Sequence, residues 1–505
     1  MKHIYLINST TRAAQYGIGT YIKQMQECLK GNDAFCLSLI EINSDVREFK
    51  VIVDKRKNIR RLLIPGTQTR GTLKDNERFY RNIIYLLAPY ISSSEKNIFH
   101  FNYQYHYSLF DLLKSKWPDA IVVLTIHYLN WCFVLKGNKT QFREIIQKSE
   151  SERNPQEKLI ATEYASDQKA FEKADKVICL CQYTEELLET DYGISGNKIE
   201  VIYNGLKEKS ISWNKSIRLR RKRQLLFGDN ERVILFVGRL DDIKGVEYLI
   251  RAFRLLLEKI PESRLVIVGE GKYDTFLKEC VHIWHRVTFT GKLDQKTLQR
   301  FYQIADVGVM PSFHEQCSYV AIEMMMYGIP LIGTDSTGLK EMLGDNQKYM
   351  MKIFEEANNV SLSVENLAHT LVQLLTESFP RKAGKNGRNK INRSQSSTGF
   401  DLTVENISKN KAQKCYGNSF YACIDQRIYK SHRNFCTTEN RHDIVKSYKF
   451  QIRCSGCTPV CKCIIISNCG WYNKKDKKYH SRDQCQVQWI YFFSIHNFLL
   501  KQFQV

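Results

Sequence analysis

Short runs of consecutive apolar residues alternate with amphipathic segments through the first three quarters of the chain. HIYLIN (3–8) reads as a buried strand, and GIGTYIKQMQECLK (17–30) as a glycine turn leading into a helix. NIFHFN (97–102), AIVVLTIH (120–127) and KVICLC (176–181) read as further strands, with LIATEYASDQKAFEKA (159–174) helical between two of them. IEVIYNG (199–205) closes the series at an Asn-Gly turn. A polar, basic stretch, KEKSISWNKSIRLRRKRQ (207–224), interrupts the alternation. It restarts with RVILFVGRL (232–240), a helix around VEYLIRAFRLLLEKI (246–260), then RLVIVGEG (264–271), RVTFTG (286–291), DVGVMPS (306–312) and GIPLIGT (328–334). Strands that are apolar throughout, rather than at every second position, belong to parallel sheets covered on both faces. The pattern runs twice. It predicts two tandem Rossmann-like doubly wound α/β domains, residues 1–204 and 205–380, facing a cleft at the carboxyl ends of their strands.

After about Phe379 no helical or strand period continues, and residues 381–505 read as an irregular tail. Composition divides at the same place. The chain carries a net charge of +22, but residues 381–505 hold 23 Lys and Arg against 7 Asp and Glu, while residues 1–380 hold 52 against 46. Seven cysteines lie scattered between Cys28 and Cys317 without paired spacing, as reduced, mostly buried thiols do; nine more crowd between Cys415 and Cys485. No stretch approaches the roughly 20 apolar residues of a spanning helix. The N-terminus MKHIYLINST lacks the apolar region and cleavage site of a secretory signal. A cytoplasmic protein is expected. Basic KNIRRLL (57–63) is either a peripheral contact for the inner face of a membrane or solvated loop charge.

PSFHEQCSYVAIEMMMYGIPLIGT (311–334) sets Glu315 in a loop after a strand and Glu323 within the second turn of a helix starting near Ser318. Free N–H groups at that helix start suit a phosphate, and ionised carboxylates suit hydroxyls, because each accepts two hydrogen bonds at once. Hydroxyls at both ends with phosphate between them describe a nucleotide sugar. As an isolated pair, the two glutamates would read as solvated helix-end charge. VILFVGRLDDIKG (233–245) adds Arg239 and Lys244 at the end of a strand, a planar fork and a point charge fit to neutralise a diphosphate. No D-x-D carboxylate pair stands at a strand end; Asp241 and Asp242 are adjacent inside the Arg/Lys loop.

The order strand–G-R-x4-K-G, LVIVGEG, VTFTG, then E-x7-E followed by G-x-P-L-I-G-T resembles the C-terminal half of retaining glycosyltransferases of the GT-B fold, family four. IEVIYNG is similar to the segment that leads into that half, and the resemblance covers residues 1–380, most strongly 199–345. It implies that Arg239 and Lys244 hold the donor diphosphate and stabilise the leaving group, with Glu315 on the donor sugar hydroxyls and Glu323 on the ribose. Backbone N–H groups of Ser318, Tyr319 and Val320 would line the phosphates. Family members carry small residues after the first Glu, whereas here Gln316, Cys317 and Ser318 follow. In the first domain the resemblance gives His127 a place beside the sugar C6 hydroxyl and the reacting centre. Gly17 and Gly19 would admit a phosphate or sugar to the backbone, or form a plain turn. His100 and His106 also lie at a strand end, within reach of an acceptor, and are not counted among the site residues.

The activity implied is transfer of a sugar with retention of configuration, from a nucleoside-diphosphate sugar to a glycan or lipid-linked hydroxyl. The leaving diphosphate would help deprotonate the acceptor, and neither a metal nor another cofactor is called for. Nucleic acid is not an expected partner. Two other readings stay open: a nucleotide-sugar epimerase of the same fold, and a binding remnant without turnover. In the tail, Cys454-x2-Cys457-x3-Cys461-x-Cys463 lacks the split pairing of a zinc site. AGKNGR (383–388) resembles the point where family members enter a last helix, which the tail does not continue; a shifted reading frame or an unrelated extension accounts for it.

Overall fold

The computed structural model describes residues 2–10, 16–29, 35–54, 59–66, 73–92, 96–206, 215–344, 349–356 and 359–376. All of these fall within one compact unit, Met1–Lys409. The tail and its cysteines lie outside the described residues, as do residues 207–214 of the basic stretch.

The first half begins β1 (Lys2–Ser9), α1 (Gly17–Leu29), β2 (Phe35–Ser44), β3 (Lys50–Asp54), β4 (Ile59–Pro65) and α2 (Leu73–Leu87). It continues β5 (Lys96–Phe101), α3 (Ser108–Lys116), β6 (Ile121–Ile126), α4 (Asn130–Val134), α5 (Lys139–Gln147), α6 (Pro155–Lys173), β7 (Lys176–Cys179), α7 (Gln182–Thr190) and β8 (Ile199–Val201). Its strands form one sheet in the order β3-β4-β2-β1-β5-β6-β7-β8. Every neighbouring pair is parallel except β3 with β4, an antiparallel hairpin at one edge. Ile4, Tyr5, Leu6 and Ile7 of β1 and Val122, Val123 and Leu124 of β6 are at most 1% exposed at consecutive positions, as expected of strands covered on both faces. α6 starts where the sequence directs it: Pro155 occupies the first turn and Asn154 and Glu157 close a reciprocal capping box.

The second half runs α8 (Lys215–Gln224), β9 (Arg232–Val237), α9 (Val246–Lys259), β10 (Ser263–Val268), α10 (Tyr273–Glu279), β11 (Val287–Gly291), α11 (Gln295–Ile304), β12 (Val307–Met310), α12 (Tyr319–Met326) and β13 (Leu331–Thr334). Then come α13 (Thr337–Leu343), β14 (Met350–Met351), the antiparallel pair β15 (Ile353–Glu356) and β16 (Asn359–Leu362), and α14 (Val364–Thr376). Its sheet, β11-β10-β9-β12-β13-β14, is wholly parallel. α9 turns Val246, Leu249, Ile250, Phe253 and Leu256 inward at helical spacing. At about 2 kcal/mol per buried apolar side chain, that face contributes on the order of 10 kcal/mol before the entropy of ordering it.

Three expectations change. Gly17 and Gly19 lie inside the first turn of α1 rather than in a turn before it. The end of the basic stretch is not a break, because Lys215–Gln224 is helical. Its inward side is charged: Arg218 pairs with Asp306 at 2.5 Å, and Lys222, 2% exposed, donates to the carbonyls of Asp229 (3.3 Å) and Glu231. Basic residues 59–63 belong to β4, with Arg61 paired to Glu41 at 2.5 Å and Arg60 over the Tyr90 ring at 5.9 Å. No disulfide joins any of the seven described cysteines, as read from their spacing.

Candidate functional site

The carboxyl ends of β9 and β12 meet at one point. The loop after β9 makes a short 3-10 turn, Asp242–Lys244, and ends at Gly245, whose φ of +61° starts α9. The loop after β12 runs from Pro311 to Ser318. Between them Lys244 Nζ pairs with Glu315 Oε1, both side chains largely buried, and Ser312 Oγ donates to the same oxygen at 3.0 Å. Arg239 pairs with Asp241 at 3.1 Å, and its guanidinium lies 5.3 Å from the centre of the Phe133 ring, which belongs to α4 of the first half. The main chain of Glu315 is held as well: its N–H donates to Thr337 Oγ1 at 3.1 Å, and its carbonyl accepts from Gly338 N–H at 2.8 Å and from the Thr337 hydroxyl.

Ser318 is the N-cap of α12, its hydroxyl accepting from Ala321 N–H at 3.3 Å. The N–H groups of Tyr319 and Val320 precede the first intrahelical bond, from Ile322 N–H to the Ser318 carbonyl. Glu323 faces elsewhere than Glu315, accepting from Tyr302 Oη at 2.7 Å and Gln295 Nε2 at 2.9 Å. Flanking Glu315, His314 and Gln316 are 7% and 6% exposed, yet among the described residues neither ring nitrogen of His314 and neither amide atom of Gln316 has a hydrogen-bond partner. Burial pushes the His314 ring down to about 4, with Glu315 opposing and Lys244 adding to the effect.

The matches to known proteins follow this architecture. Residues 218–390 match the family model described as "Glycosyl transferases group 1", and residues 43–209 match "Glycosyltransferase Family 4". The chain belongs to the family-four glycosyltransferases. An uncharacterized glycosyltransferase of Methanocaldococcus jannaschii is 34% identical over 195 residues, 36% of this chain and 49% of that protein. The chain spans about half the length of the curated relatives it matches first. Among solved structures, sucrose-phosphate synthase from Thermosynechococcus elongatus superposes with a TM-score of 0.58 at 20% identity, covering 81% of this chain and 99% of that one. Anabaena HepE in complex with UDP and glucose superposes at 0.55 with 14% identity, covering 82% and 100%. These two show the shared GT-B fold.

The first half supplies the other predicted residues. His127 follows β6; its Nε2 lies 2.9 Å from Asn102 Oδ1 and its ring packs edge-on against Tyr21 of α1 at 4.7 Å. Loss of solvent pushes it down to about 3, so the ring is neutral at physiological pH. Phe133, under Arg239, also packs on Tyr128, the residue after His127, at 5.7 Å. Gly17 has open space where a Cβ would stand, and the adjacent Tyr16 hydroxyl donates to Glu270 of the loop after β10, with Lys292 4.5 Å from its ring centre. His100 and His106 are enclosed: His100 is within β5, its ring 2.7 Å from Thr125 Oγ1, and His106 lies 2.9 Å from Tyr80 Oη, both at most 1% exposed.

Sequence reasoning missed the residues that tie the halves together. Asn204 donates to the Cys317 carbonyl at 2.8 Å and lies 3.2 Å from the hydroxyl of Tyr319, so the turn residue of IEVIYNG grips the start of α12. An Asn before Gly is the local signature of a turn, and nothing local distinguishes one that also bonds a loop 113 residues away.

Proposed function

We propose that the chain transfers a sugar from a nucleoside-diphosphate sugar to a hydroxyl of a glycan or lipid-linked acceptor, with retention of configuration. The observation that carries the reading is the Lys244–Glu315 pair at the meeting of two strand ends, beside the first N–H groups of α12. Lys244 and Arg239 take the diphosphate and stabilise its charge as the glycosidic bond breaks. Glu315 accepts hydrogen bonds from the sugar hydroxyls and Glu323 from the ribose; the N–H groups of Ser318, Tyr319 and Val320 meet phosphate oxygens. Neutral His127 serves the sugar C6 hydroxyl, and Gly17 and Gly19, opposite the loops after β10 and β11, leave the backbone of α1 open to the ligand. The departing diphosphate takes the acceptor proton on the face it leaves. With cations and helix N–H groups meeting its charge, this reading calls for no metal. The UDP complexes of HepE support a nucleotide sugar as donor. Contact with the inner face of a membrane, where lipid-linked acceptors are found, belongs to the same reading.

The test measures nucleoside diphosphate release across a panel of UDP, GDP and ADP sugars, with Glu315→Ala and Lys244→Ala beside the wild type. Turnover with one donor, lost in both variants, is expected. Turnover that survives both substitutions overturns the site assignment. Free sugar released with the nucleotide, in the absence of any acceptor, points instead to the epimerase.

A further inference from the structure

Helix α13 is short, and it touches both halves of the molecule. Its first two residues hold the main chain of Glu315: Thr337 Oγ1 bonds the N–H and the carbonyl, and Gly338 N–H donates to the carbonyl at 2.8 Å. Thr337 does this at φ +27°, a left-handed conformation that a β-branched residue adopts only when its surroundings fix it. Gly338 is wedged: a Cβ there would stand 1.4 Å from the Gln316 carbonyl oxygen and 3.0 Å from Cys181 Cβ, so no side chain fits.

The other end of α13 reaches the first half. Glu341 accepts from the backbone N–H groups of Gln182 at 3.0 Å and Tyr183 at 2.9 Å, the first two residues of α7, and from the Tyr203 hydroxyl at 3.0 Å. An anionic side chain is favoured there, because the opening N–H groups of α7 have no partner within the helix and carry the positive end of its dipole. The thiol of Cys181, the N-cap of α7, lies 3.1 Å from Thr184 Oγ1, and it is the carboxylate from the second half that brings a negative charge to the opening N–H groups of Gln182 and Tyr183.

We propose that Glu341 is a positioning residue for Glu315. Its carboxylate anchors α13 to α7 and Tyr203, and α13 then fixes the main chain that aims Glu315 at the donor sugar. The inference rests on the reading of Glu315 as a donor-sugar ligand. It makes sugar geometry depend on the seam between the halves, while Glu323, held by Gln295 and Tyr302, lies outside this path.

The full chain is tested as Glu341→Gln, Glu341→Ala and Tyr203→Phe. UDP and GDP binding are followed by calorimetry, and turnover is measured on the donor selected by the panel above. A misplacement of ~1 Å at a reacting group can cost roughly 100-fold. The expected result is a fall in kcat of about 10- to 100-fold for Glu341→Ala, with nucleotide affinity within about threefold of wild type and full binding stoichiometry. Glu341→Gln keeps one good acceptor and should fall between Ala and wild type. Should Glu341→Ala not fold, Tyr203→Phe and Glu341→Gln, each leaving part of the anchor, carry the same measurement. Adding Thr337→Val to Glu341→Gln should cost less than the product of the two single effects, because both cut one strut. Unchanged kcat in folded Glu341→Gln, while Glu315→Ala abolishes turnover, overturns the inference and leaves the functional reading standing. A kcat loss matched by an equal loss of binding sites also overturns it, as that marks a merely structural role. If Glu315→Ala itself retains turnover, the functional reading fails and the inference falls with it.

Discussion

Gly245→Ala should damage the protein twice, once through its own backbone and once through the loop it touches. Gly245 has φ +61°, and the left-handed conformation costs an L-residue with a Cβ about 1–2 kcal/mol. An added Cβ would also stand 2.2 Å from the Pro311 carbonyl oxygen and 3.1 Å from its carbonyl carbon. That is an ångström inside normal contact, against main chain that cannot rotate away, and overpacking of this kind costs about 1–3 kcal/mol. The two terms give about 2–5 kcal/mol of lost stability. Gly328 separates them. Its φ is +62°, and nothing lies within 4 Å of where its Cβ would be, so Gly328→Ala should lose only the first term. Urea denaturation of both variants at one pH measures the difference, expected at about 1–3 kcal/mol. Gly245→Asn is the second control: Asn tolerates the left-handed region but carries the same Cβ, and should not rescue the contact. Because Gly245 follows Lys244 and Pro311 opens the loop to Glu315, kcat/KM should fall at least about tenfold in Gly245→Ala, the outcome expected of misplaced reacting groups, and hold in Gly328→Ala. Equal denaturation midpoints, or full turnover in Gly245→Ala, would refute the close contact as the cause.

Glu323→Gln should weaken UDP binding by about tenfold, since a bond to a charged acceptor contributes roughly 1.5–3 kcal/mol and the amide accepts at one atom only; unaltered affinity in calorimetry would remove Glu323 from the ribose site. Burial holds His100 and His106 down to about 3, against about 6.5 in the unfolded chain, so both are neutral in the fold while the unfolded state takes up protons below pH ~6.5. Their contribution is therefore complete above that pH and declines as pH falls towards 3, by about 2 kcal/mol each at pH 5; His106→Gln should show a smaller urea-stability loss between pH 7 and 5 than wild type, and an identical loss would count against it. Gln316→Met keeps the volume and removes an amide with neither atom hydrogen-bonded among the described residues, so it should raise stability by about 1–3 kcal/mol; a lower thermal midpoint would mean the amide is satisfied.

The second half was the more legible, for a physical reason. Its central strands are buried on both faces and so read as apolar runs: RVILFV, RLVIV and GVM announce β9, β10 and β12 one by one. The start of α12 was legible because Ser318 caps it locally. β3 was not read, since an edge strand with half-exposed residues carries a weaker apolar signal than a central strand, and in the largely buried β4 Arg60 and Arg61 interrupt the apolar run. α8 was hidden by its chemistry: ion pairing of Arg218 and Lys222 with Asp306 replaces the apolar stripe that helix periodicity detects. The seam was out of reach altogether, because Glu341 meets Gln182 across 159 positions and Tyr203 across 138, and no local spacing encodes such a contact.

The pairing of charges also explains an oddity of the motif. Asp241, one residue from a second aspartate, sits in a loop otherwise suited to an anion, and in sequence it looks misplaced. In the fold it is the counter-ion of Arg239 at 3.1 Å, as Glu315 is of Lys244. Both cations are half-buried or more, and an unpaired charge so placed would cost several kcal/mol in desolvation. The carboxylates remove that cost before any ligand arrives, and they keep the two cations from collapsing onto other partners. Under the proposed reaction they also set the terms on which a diphosphate would bind: it must share or replace an anion already there, so its net gain is the difference between two pairings rather than the whole attraction. Under the proposed reaction the diphosphate is first part of the donor and then the product that must leave. A cation site with resident carboxylates can stabilise the charge that develops as the bond breaks and still release the product, which a bare cluster of cations would retain.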